Sequence, residues 1–146
     1  MEFVYPAKLT PDENGRYLVT FRDVAEALTD GATIEEALVE AEDALDGALL
    51  GYVDDARFPR PIPEPSKKQR GEYLIRISPR SAAKLALHHA LRQRKISVRQ
   101  LAKMLGVSDT AVRRLLDPNY RSNFDKLLDA LAIVGRKVEI GVWEVA

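Results

Sequence analysis

The chain has 146 residues, enough for two small domains with modest cores, and its 22 Lys and Arg offset 22 Asp and Glu. It contains no cysteine, which excludes disulfides, zinc–thiolate sites and thiol catalysis, and no apolar run long enough to span a membrane. The neutrality cancels opposites: residues 1–77 carry nine basic against sixteen acidic side chains, and residues 78–146 carry thirteen against six. Such asymmetry predicts two surfaces with opposite partners, the basic half suiting a polyanion and the acidic half a basic protein. The chain opens on Glu2 in a strand-like segment instead of a charged-then-apolar signal, so a cytoplasmic protein is expected.

Residues 2–9 and 16–22 alternate as strands, anchored by Phe3, Tyr5, Tyr17, Val19 and Phe21, with Asp12-Glu13-Asn14-Gly15 as the hairpin turn. A weaker extended piece at 26–29 adds a third strand before a turn at Asp30-Gly31. Thr33 and Glu36 then form a capping-box signature. The helix it opens repeats Ile34, Ala37, Leu38, Ala41, Leu45, Ala48, Leu49 and Tyr52 at helical spacing. Its opposite side carries Glu35, Glu36, Glu40, Glu42, Asp43 and Asp46, either solvated or facing a cationic partner. Alternating prolines make 59–71 an extended tether, and Glu72-Tyr73-Leu74-Ile75-Arg76-Ile77 returns as a strand of the first sheet. The predicted boundary lies near Ser78-Pro79, giving domains 1–77 and 78–146.

The second half reads as helices at 82–94, 98–105, 109–116 and 124–134. Around Gly106, placed where a tight turn needs positive φ, Leu101, Ala102 and Leu105 form the inner face of one helix and Val112 and Leu115 that of the next. Val107 is expected to plug the corner and Ser108 to cap the second helix. This spacing predicts a DNA-binding helix-turn-helix, whose second helix would offer Ser108, Asp109 and Thr110 to base edges or phosphate. Arg114 is expected at bases or the sugar edge, Arg113 in either role, and Arg99, Lys103, Arg121, Ser122 and Asn123 at phosphates. A last strand at 137–145 places Val138, Ile140 and Val142 on one face and Trp143 on the other. It needs a mate, predicted across a two-fold axis, with the first sheet as the alternative. The fold class expected is α+β: a small antiparallel sheet with one packed helix, then a helical domain ending in a strand.

No catalytic residues, metal or cofactor are predicted. His88 and His89 are adjacent on a helix and point apart, and nothing in the spacing of Glu2, Asp23 and Glu42 marks a metal-dependent nuclease site.

The order of these parts, with Phe21-x-Asp23, the Gly31-x-Thr33-x-Glu35-Glu36-Ala37 helix start and Pro61-Ile62-Pro63-Glu64-Pro65-Ser66 before the helix-turn-helix, resembles HicB antitoxins. The resemblance implies a partial ribonuclease-H-like first domain, inactive as a nuclease, that binds and neutralises a small basic mRNA-cleaving toxin, HicA. It also implies that the second domain represses the operon as a homodimer or larger assembly on double-stranded operator DNA. Asp23, Glu26, Asp30, Glu35, Glu40 and Asp43 are the expected toxin contacts. The alternative is a stand-alone helix-turn-helix regulator with a sensing or oligomerising first domain.

Overall fold

A computed structural model describes residues 1–54 and 60–145. Pro59, the first residue of the expected tether, lies outside the described residues. The chain forms two compact units, Met1–Ser81 and Ala82–Ala146.

The first unit holds β1 (Val4–Pro11), β2 (Tyr17–Thr20), β3 (Leu28–Gly31), α1 (Ile34–Asp54) and β4 (Tyr73–Arg76). The sheet is antiparallel in the order β3-β2-β1-β4. β1 divides its length between its neighbours: Val4 to Ala7 pair with β4, and Lys8 to Pro11 pair with β2. Each half therefore has an open side toward which a missing amide hydrogen can face, which lets Pro6 and Pro11 sit inside a strand. Alternation sends Tyr5, Ala7, Val19 and Ile75 into the core, where α1 contributes Ala37, Ala41, Leu45, Leu49 and Tyr52.

Several predicted boundaries move. The hairpin closes with Gly15 at φ 74°, while Asn14 keeps negative φ. The Asp12 carboxylate accepts from the Asn14 and Arg16 amides, replacing a two-residue mirror turn. The third strand starts two residues later than expected, so Asp30 and Gly31 are strand residues and not a turn. At the start of α1, the Thr33 hydroxyl accepts from the Glu36 amide, but the Glu36 carboxylate reaches past the cap to the Ala32 amide.

Residues 60–72 form the tether. Pro61, Pro63 and Pro65 offer no amide hydrogens, and side chains of the β2–β3 connection hold the segment instead. Glu26 pairs with Arg60 at 2.5 Å, Asp23 accepts from both the amide and hydroxyl of Ser66, and Arg22 binds Glu72 and the Lys67 carbonyl. In the middle the Tyr5 hydroxyl donates to the Pro63 carbonyl at 2.6 Å. Burial, with Asp23 and Tyr52 nearby, pushes that phenol up to about 12, so it remains a donor.

The second unit is built from α2 (Pro79–Arg94, its first turn in the first unit), α3 (Val98–Leu105), α4 (Asp109–Leu116) and α5 (Phe124–Ile133). Leu87, Leu91, Leu101, Ala102, Val112, Leu115, Leu127, Leu131 and Val134 make its core. The predicted last strand is not formed: residues 137–145 join no ladder in the single chain, and among the described residues the first sheet holds β1 to β4.

Gly31 is where β3 and α1 touch. A Cβ there would lie 2.6 Å from the Ala37 Cα and closer still to the Ala37 nitrogen. Because both neighbours are backbone, Gly31→Ala is expected to destabilise the first unit by about 3 kcal/mol. Faster hydrogen exchange of the β2 amides, with α5 amides unchanged, would register it.

Candidate functional site

The most organised surface in the second unit is the α3–α4 pair. Ser97 opens α3 with a full capping box: its hydroxyl accepts from the Gln100 amide and the Gln100 side chain accepts from the Ser97 amide. Gly106 ends it at φ 68°, ψ 33°, and Val107 donates to the Ala102 carbonyl. Ser108 then caps α4 by accepting from the Ala111 amide at 3.1 Å. Leu101, Ala102, Val112 and Leu115 are buried, as the spacing requires. Val107 does not plug the corner; it is 45% exposed, because its amide and not its side chain makes the turn contact.

With Val112 and Leu115 turned inward, α4 leaves Thr110, Arg113 and Arg114 exposed and Asp109 partly so at its first turn. Arg99 and Lys103 are exposed on α3, and Arg121 follows α4. These residues share one unit and all can meet solvent. One predicted phosphate contact is buried, and another caps a helix at the surface. Ser122 is 2% exposed, and its hydroxyl donates to the Arg114 carbonyl at 3.0 Å. Asn123 caps α5 by accepting from the Lys126 amide.

The end of α4 was not foreseen from sequence. The Arg113 carbonyl accepts from the Asp117 amide, those of Arg114 and Leu115 from Ser122, that of Leu116 from His88 Nε2 at 2.6 Å, and that of Asp117 from Lys84 Nζ at 2.6 Å. Lys84 is 3% exposed and also donates to the Tyr120 carbonyl at 2.5 Å. Lys84 and His88, four residues apart on the same helical stripe as Leu87 and Leu91, are the signal that the sequence offered. Since a carbonyl only accepts, His88 carries its proton on Nε2. Burial holds its pKa below the usual histidine value, with the Leu116 carbonyl opposing and Lys84 reinforcing the shift.

The six predicted acids of the first unit divide. Asp23 is bound to Ser66, and Asp30 pairs with Arg16 at 2.8 Å, which lowers its pKa. Glu26 accepts from Arg60 and from the Tyr52 hydroxyl, and the Arg60 contact is the main cause of its lowered pKa. All three carboxylates are engaged within the first unit. Glu35, Glu40 and Asp43 stand exposed on α1 around Val39, itself 61% exposed. Asp46, on the same helix, accepts from the Ser78 amide and from the hydroxyls of Ser78 and Ser81. Among the described residues no three His, Asp or Glu side chains gather as metal ligands, and no helix is long and apolar enough to cross a membrane.

Of the expected interface residues at the end of the chain, Val138 is 38%, Ile140 60%, Val142 93% and Trp143 61% exposed.

Residues 4–86 match a family described as the HicB-like antitoxin of bacterial toxin–antitoxin systems. An antitoxin HicB 2 from Photorhabdus laumondii is 37% identical over 136 residues, covering 93% of this chain and 94% of that protein. The antitoxin HicB of Escherichia coli is 32% identical over 93% of this chain and 96% of its own length. That of Pseudomonas fluorescens is 33% identical over 90% and 88%.

Two outcomes test this geometry. Nothing lies within 4 Å of a Cβ on Gly106, so Gly106→Ala pays only for its left-handed backbone, about 1–2 kcal/mol by chemical denaturation, and Gly106→Asn costs less. For His88 the unfolded chain holds the proton more tightly. The second unit therefore has its full stability above about pH 6.5 and loses stability as pH falls through that value toward the lowered folded pKa. His88→Gln, which keeps an N–H donor without a titrating ring, is expected to flatten that part of the stability profile.

Proposed function

This chain belongs to the HicB-like family of bacterial toxin–antitoxin antitoxins, and from that premise we propose that it neutralises a small basic HicA-type, mRNA-cleaving toxin and represses its own operon. It does so in the cytoplasm without catalysis, metal or cofactor. The observation that carries the division of labour is the separation of charge onto two halves of the chain, net acidic over 1–77 and net basic over 78–146.

On the acidic side, α1 presents Glu35, Glu40 and Asp43 with the exposed Val39 among them. An acidic face draws a cationic protein at long range and competes with RNA phosphate for the same basic surface. Asp23, Glu26 and Asp30 contribute by bracing the unit that holds α1, since their carboxylates are engaged within it.

On the basic side, α4 enters the major groove. Asp109 accepts from a cytosine amino group, Thr110 meets a thymine methyl or base edge, and Arg114 takes a guanine or the sugar edge, with Arg113 beside it. Arg99, Lys103 and Arg121 neutralise phosphates, with Ser108 and Asn123 at helix starts nearby. Two copies pair through residues 137–145, covering Val138, Ile140, Val142 and Trp143 and setting two copies of α4 one turn of DNA, about 34 Å, or a multiple of it apart.

Replacing Glu35, Glu40 and Asp43 together with Lys in the full chain is expected to abolish protection against the toxin in an mRNA-cleavage assay while promoter binding persists. Arg114→Ala is expected to do the reverse, costing about 1–3 kcal/mol in promoter affinity and relaxing base preference. If the triple variant still protects, the toxin does not bind on α1.

A further inference from the structure

The cap on α4 is more complete than folding a short helix demands. A helix leaves its last carbonyls without intrahelical partners, and water usually takes them. Here the carbonyls of Arg114, Leu115, Leu116 and Asp117 accept from Ser122, His88 and Lys84. Those donors approach from α2 and from the loop after α4, so α4 can neither turn about its axis nor slide without breaking several bonds at once. The Lys84 ammonium also faces the negative end of the helix dipole.

The same ammonium reaches one step further. It bridges the carbonyls of Asp117 and Tyr120, while the Tyr120 amide donates to the Asp117 carbonyl and the Asn119 amide to the Asp117 carboxylate. The backbone of Tyr120 is thus held at both its N–H and its carbonyl. Its ring is 47% exposed and lies 5.9 Å from the Arg114 guanidinium carbon, at cation–π range. An unrestrained arginine loses many rotamers on binding, and an aromatic face beside it removes part of that cost in advance.

We propose that Tyr120, held in place by the carbonyl cap of Lys84, His88 and Ser122, is a positioning residue that pre-orients Arg114 for operator recognition. The inference rests on the operator-binding reading. It makes sequence preference depend on a tyrosine acting through Arg114 and on buried groups that touch no base.

The test uses the full chain and two labelled duplexes, the promoter of its own operon and a scramble of the same composition, read by fluorescence anisotropy. Tyr120→Leu is expected to weaken promoter binding about threefold to fivefold, leave the scramble unchanged, and have no further effect in an Arg114→Ala background. Lys84→Met is expected to cost about tenfold on the promoter alone. Should it fail to fold, the Tyr120 cycle decides by itself, because that ring is on the surface. Equal losses on both duplexes, or a Tyr120 effect that persists without Arg114, overturn the positioning role while leaving the operator reading intact. A wild-type chain with no preference between the duplexes overturns the operator reading and this inference with it.

Discussion

Prolines at 61, 63 and 65 take alternate amide hydrogens out of the segment that brings the chain from α1 back to β4, so one edge of it has no donors for a ladder and side chains hold it instead. The β2–β3 connection meets that demand at both ends through Glu26, Asp23 and Arg22, and Tyr5 meets it in the middle. The rest of the first unit follows. β4 reaches β1 only if the tether is seated, and β1 in turn is the strand that joins β4 to β2 and β3. Asp23, Glu26 and Asp30 are engaged within the first unit, whereas Glu35, Glu40 and Asp43 stand exposed on α1.

The second unit solves a similar problem with different parts. Eight-residue helices such as α3 and α4 are too short to hold themselves together by propensity, so their buried inner faces, with capped ends, carry the burden. Ser97 with Gln100 and Ser108 with the Ala111 amide secure the starts, Gly106 secures one end, and Lys84, His88 and Ser122 secure the other. Charge follows the same economy: a buried ammonium is tolerated because it faces carbonyls at a helix end.

The helical half was legible because its signals are local. Apolar spacing, Gly106 and Ser108 set helix limits that match the structure at 98–105 and 109–116, and Thr33 marked the start of α1. What escaped depends on residues far apart in the chain. Nothing near Asp23 announces Ser66, and nothing near Lys84 or His88 announces the end of α4. β3 was misplaced by two residues because its limits come from pairing with β2 and from the close approach of Gly31 to α1. Ser97-x-x-Gln100 is a capping-box pattern that the structure forms in full. The last strand has the right alternation, but a ladder defines a strand, and residues 137–145 join none in the single chain.

That apolar tail has a thermodynamic meaning of its own. Val142 and Val145 stand almost wholly in water, with Trp143 between them, and each square ångström so exposed forgoes about 25 cal/mol. Any surface that covers the tail stabilises the covered form by mass action, in proportion to the logarithm of its concentration. The stability of the molecule is then not a constant written in one chain. Where the cover is a second copy of the chain, stability becomes a measure of abundance, and dilution alone lowers it.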